Sequence, residues 1–75
     1  MKAITTKYLE RTEYKPSRIS ARDMDGNRVI VSYDHNISPL HNHTEAAVRL
    51  CVKMGWSGTI ATGEIKGGYV HVFVK

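Results

Sequence analysis

The sequence predicts an α+β fold: one antiparallel sheet with a single helix packed on one face, in the order β-β-β-α-β-β. Three observations carry this expectation. Short segments rich in β-branched and aromatic residues are separated by turn signals at Asp25-Gly26 and Gly67-Gly68. One segment between them changes to the helical period, with Ala47, Leu50, Cys51 and Met54 on one stripe. That segment stops at Gly55, the residue type that tolerates the left-handed conformation closing a helix.

Taken in order, Ala3 to Leu9 (AITTKYL) reads as a strand. Glu10 to Ser17 (ERTEYKPS) is polar, contains a proline and reads as a loop. Arg18 to Asp23 and Asn27 to Tyr33 form a hairpin, and its register follows from the loop length. A two-residue Asp-Gly loop would scatter the apolar residues over both faces. A three-residue loop at Met24-Asp25-Gly26 pairs Ala21 with Val29 and Ile19 with Val31. It gathers Ile19, Ala21, Val29, Val31 and Tyr33 on one face, and Gly26 supplies the left-handed residue such a loop needs.

Asn42-His43-Thr44-Glu45 fits a variant capping box, with Asn42 as N-cap and Glu45 reaching back, after a turn through Pro39. Val48 widens the apolar stripe, Arg49 and Lys53 lie on the outer side, and Lys53 suits the negative end of the helix dipole. The last hairpin joins Thr59 to Ile65 with Tyr69 to Val74 through a Gly67-Gly68 primed turn. This register pairs Ile65 with Val70, Gly63 with Val72 and Ala61 with Val74, and these residues form the expected core face. Tyr69, His71 and Phe73, with Ile60 beside them, then form an outer aromatic row.

At 75 residues the chain is expected to be a single domain over 1–75. A domain of this size buries only about 60% of its unfolded surface, so a deep substrate pocket would compete with the core for apolar side chains. The formal charge of +4 is a mild excess, with basic residues most frequent in the first half, Arg18 and Arg22 among them. Cys51 is the only cysteine, which rules out an internal disulfide and a paired-cysteine metal site. No signal-like or membrane-spanning apolar run is read. These features fit a protein of the reducing cytoplasm with no membrane role.

The stretch YDHNISPLHNHTEAA gathers Asp34, His35, His41, His43 and Glu45, residue types that could ligate a metal. The spacing matches no established ligand pattern, and the same residues are explained by a strand end, a turn and a helix start. No metal and no cofactor are therefore expected. Cys51 lies on the inward stripe and reads as a small buried hydrophobe, and no serine stands in a nucleophile elbow. Trp56 reads as a plug at the corner between helix and strand. The expectation is a non-enzyme with no catalytic residue.

The residues MKAITTKYL, Ser17-Arg18-Ile19, Asp25-Gly26-Asn27, Tyr33-Asp34-His35, Asn42-His43, Leu50-Cys51-x-Lys53-Met54-Gly55-Trp56 and Gly68-Tyr69-Val70-x-Val72-Phe73-Val74 carry a resemblance. Together they are similar to a family of short proteins encoded by phages, prophages and other mobile elements of proteobacteria. The likeness covers nearly the whole chain, with Glu10 to Lys15 as the departure. It implies no catalytic residues. It implies a binding protein directed at host machinery, including defence systems such as CRISPR.

The sequence thus predicts a small binding module acting on a protein partner through Tyr69, His71, Phe73, Ile60, Arg18 and Arg22. The alternative is a nucleic-acid module in which basic residues meet phosphates and Tyr69 and Phe73 stack on bases. The oligomeric state stays open.

Overall fold

The computed structural model describes residues 2–74. Strands β1 (Ala3–Leu9), β2 (Arg18–Arg22) and β3 (Arg28–Ser32) come first. Helix α1 (Pro39–Met54) follows, then β4 (Thr59–Ile65) and β5 (Gly68–Val74). The predicted α+β class and the order β-β-β-α-β-β both hold. The strands form one antiparallel sheet in the order β3-β2-β1-β5-β4. Pairing of β1 with β5 joins the two hairpins, so the strands farthest apart in sequence close the middle of the sheet.

The first hairpin adopts the register its apolar pattern demands. Ala21 faces Val29 and Ile19 faces Val31. Asp23 holds the turn together: its Oδ1 accepts from the amides of Asp25 and Asn27, each at 2.9 Å, and its Oδ2 accepts from Asn27 Nδ2 at 2.9 Å. The side-chain hydrogen bond from Asn27 leads the effects that hold the Asp23 carboxyl below its ordinary pKa.

The second hairpin differs from expectation in register. Ile65 pairs with Gly68, Gly63 with Val70 and Ala61 with Val72, so Lys66 and Gly67 form the turn. Of these two, only Gly67 has positive φ, at 83°, so the turn is not of the primed type. Gly68 belongs to the strand because β1 crowds it. A Cβ there would stand 2.0 Å from the carbonyl oxygen of Thr6. The close approach of the central strand therefore requires glycine at this position.

The helix begins earlier than the capping-box reading places it. Ser38 is the N-cap, with extended φ and ψ of −66° and 157°, and its Oγ accepts from the His41 amide at 3.1 Å. Pro39 occupies the first helical position, where the missing N–H costs nothing. Asn42 is already inside the helix and buried. Its Oδ1 accepts from Asp34 N at 2.8 Å, and its Nδ2 donates to the carbonyls of Asp34 and Ser38 at 2.9 and 3.0 Å. It clamps the preceding loop to the helix. At the other end Gly55 is left-handed (φ 73°), with Trp56 N donating to Cys51 O and Gly55 N to Val52 O, the Schellman pattern. Lys53 Nζ reaches Arg28 O at 2.9 Å and ties the last turn to the edge strand β3.

The core lies between the helix and one face of the sheet. Ile4, Ile19 and Ala21 meet Ala46, Ala47, Leu50 and Cys51. The alanines let the helix sit close to the strands, and Leu50 fills the centre with none of its surface exposed. Val48, expected to widen the stripe, is 43% exposed, and the buried His43 extends the stripe in its place. Helix contacts fall on β2, β1, β3 and β5, with β4 at the margin.

Candidate functional site

The two faces of the C-terminal hairpin are exchanged relative to expectation. In the β1–β5 register Ile4 faces His71 and Thr6 faces Tyr69. In the β1–β2 register Thr6 faces Ala21 and Tyr8 faces Ile19. Residues opposite one another share a face, so Tyr69, His71 and Phe73 lie under the helix with Ile19 and Ala21. Ile60 and Phe73 pack against the core cluster, and His71 is buried. Of the row expected to bind a partner, His71 is therefore buried, while Tyr69, Phe73 and Ile60 are half-buried on the helix side. Arg18 and Arg22 have the opposite parity and lie on the other face. The predicted site residues are thus divided between two surfaces.

A polar chain explains how a histidine can sit beneath the helix. His43 Nδ1 lies 2.8 Å from Thr6 Oγ1, and Thr6 Oγ1 lies 3.0 Å from His71 Nε2. His71 Nδ1 lies 3.0 Å from Thr62 Oγ1. Each ring nitrogen in the chain can thus donate to or accept from a threonine hydroxyl while both imidazoles stay neutral. No buried side-chain nitrogen or oxygen lacks a partner among the described residues. Burial pushes the pKa of His43 down, partly countered by its contact with Thr6. Burial also lowers that of His71, and a charge on His43 would lower it further. Tyr69 covers His43 with ring centroids 4.6 Å apart. The chain runs from helix to β1 to β5 to β4, so it links every layer of the fold.

The candidate ligand cluster is dispersed. His43 points into this chain, His35 packs edge-on against Tyr33 at 4.9 Å, and Asp34 Oδ1 accepts from the Asn36 amide. Among the described residues no group of three or more His, Cys, Asp or Glu side chains is placed to hold a metal ion. Cys51 is free and buried, and desolvation raises its thiol pKa, which opposes thiolate formation. Trp56 packs against the core cluster, edge-on to Phe73 at 6.2 Å, with Lys2 Nζ 4.3 Å from its ring centroid. A concavity between β3 and α1 is lined by Ile30, Ile37, His41, Glu45 and Arg49, a mixture of apolar groups and both charge signs.

The surface left open is the far face of the sheet. The helix covers one side only, and the strand registers allow the other side to be read row by row. Arg28, Arg22, Thr5, Val70 and Gly63 lie in one line across all five strands. Ile30, Ser20, Lys7, Gly68 and Ile65 make the next. Ala3, Val72 and Ala61 make a third. The face is therefore basic over β3, β2 and β1 and aliphatic over β5 and β4. Ile30, Ile65 and Val74 are 49%, 39% and 39% exposed. Lys7 and Arg28, which the sequence offers only as part of a general basic excess in its first half, join Arg18 and Arg22 on this face, and so do Val70 and Val72, which it assigns to the core. Their shared parity was the available signal, once β1 was known to lie between the hairpins.

No family model, no curated protein and no solved structure matches this chain. No helix among the described residues is long and apolar enough to cross a membrane.

Proposed function

We propose that this chain is a small non-enzymatic binding module that engages a protein partner through the open face of its sheet. The observation carrying the reading is the continuous aliphatic area formed by Val70, Val72, Val74, Ala61 and Ile65 on the uncovered side. Exposed apolar area of this kind on a small domain is a feature of contact surfaces. The resemblance to mobile-element proteins supports a partner in host machinery, with a CRISPR effector or another defence complex as the specific target. The nucleic-acid alternative has less support, because Tyr69 and Phe73 lie half-buried on the helix side of the sheet.

Capture from proteobacterial lysates with the parent chain and with Val72→Glu tests the reading. A partner retained by the parent and lost by the variant is expected. Equal recovery by both, or no partner from any of several hosts, overturns it. Plating a CRISPR-targeted phage on a host expressing the chain tests the narrower target, since rescue should be lost with Val72→Glu.

A further inference from the structure

We infer that the open face is built for an acidic protein surface, whose carboxylates seat over Lys7, Arg18, Arg22 and Arg28 while its apolar side chains lie over Val70 and Val72. The inference rests on the proposed binding face and specifies its partner. Its first support is charge segregation. The chain has seven Asp and Glu residues, yet none occupies a strand position on this face. Glu10 and Glu13 lie in the first loop, Asp23 and Asp25 in the hairpin turn, Asp34 beyond β3 and Glu45 on the helix. Glu64 pairs with Tyr69 and shares its helix-side parity.

The second support is a pair of like charges placed face to face. Arg22 and Arg28 stand directly opposite one another on adjacent strands. Side chains so placed have Cβ atoms about 5 Å apart, and like charges there destabilise a sheet. Lys7 lies on the next strand, beside Ser20, and Arg18 is on the same strand as Arg22. With strands about 4.8 Å apart and a rise of about 3.3 Å per residue, the cations span roughly 10 by 13 Å. An anionic partner would convert this repulsion into attraction and speed encounter.

The adjoining aliphatic half separates a protein from a nucleic acid. Val70, Val72, Ala3 and Ala61 offer neither a hydrogen bond nor a charge to a phosphate. No strand position on this face carries an aromatic ring for base stacking. A protein segment mixing carboxylates with apolar side chains satisfies both halves together.

Peptides selected from a random displayed library on the immobilised chain provide the test, with a ~20-bp duplex DNA as the competing probe at ~150 mM salt. Selected peptides should be enriched in Asp and Glu beside apolar residues. They should bind Arg22→Glu/Arg28→Glu at least about tenfold more weakly, and they should shift amide resonances of β1, β2 and β5. Circular dichroism and thermal melts of the variants report whether the fold is kept. Peptides that depend on Val72 but not on Arg22 and Arg28 overturn the acidic partner and leave the binding face standing. Peptides indifferent to both, or a library yielding no binder, overturn the face itself. Tighter binding of the duplex than of any peptide makes the ligand nucleic acid and ends the inference.

Discussion

The two faces of this sheet are made by the same five strands, yet they follow different rules. Under the helix, Ile4, Ile19, Ala21 and Leu50 are wholly buried, and every buried polar side-chain atom described has a partner. On the open side, apolar groups remain in water and Arg22 opposes Arg28. One face is optimised for folding. The other keeps features that folding alone would not select. The difference teaches that alternation along a strand assigns side chains to two sets without saying which set becomes the core.

The comparison predicts a graded series of stability effects. Leu50→Ala on the covered side should cost about 2–5 kcal/mol, enough to unfold much of so small a domain, as read by urea denaturation. A smaller loss there would mean that the helix is loosely docked. Thr6→Val keeps the shape but removes the hydroxyl between His43 and His71, leaving two buried ring nitrogens without it. A loss of about 1–3 kcal/mol is expected. An unchanged melting temperature would show the polar chain to be incidental.

Acid should act on the same side of the sheet. Both buried histidines have pKa values lowered from the ordinary 6.5, so the unfolded chain takes up their protons more readily than the folded one. Their effect is absent above about pH 6.5, and stability falls as pH drops below it. The window down to about pH 5 lies above the ordinary carboxylate range, so urea midpoints there report mainly the histidines. A flat profile across that window would contradict the buried arrangement.

Smaller effects mark the periphery. Ser38→Ala should cost about 1 kcal/mol by removing the cap on the His41 amide. Equal loss of helix content with Glu45→Ala would restore the capping-box reading. On the open face, Arg22→Gln should leave stability within about 0.5 kcal/mol and raise it slightly by relieving the contact with Arg28. A clear destabilisation would show that the basic row contributes to the fold.

Legibility in the sequence followed the range of the interaction. The first hairpin register was readable because the spacing of Ile19, Ala21, Val29 and Val31 leaves one loop length that aligns them. The end of the helix was readable because Gly55 is a local signal. Its start was missed although Ser38-Pro39 is an equally local signal. Asn42 and Glu45 mimicked a capping box one turn later, while Asn42 in fact clamps the loop. The candidate site was legible only in part, since Arg18 and Arg22 do lie on the open face but Tyr69, His71, Phe73 and Ile60 do not.

By itself, then, the sequence determined the number, type and order of the elements, because period, turn chemistry and helix termination act within a few residues of one another. Tertiary structure alone decided which side of the last hairpin meets the helix. Counting apolar residues favours Val70, Val72 and Val74 for the interior over a row containing a histidine. Pairing with β1 placed His71 between Thr6 and Thr62, more than sixty and nine residues away in the chain. Once its nitrogens had those partners, the cost of burying the imidazole was offset. The valines were left on the open face.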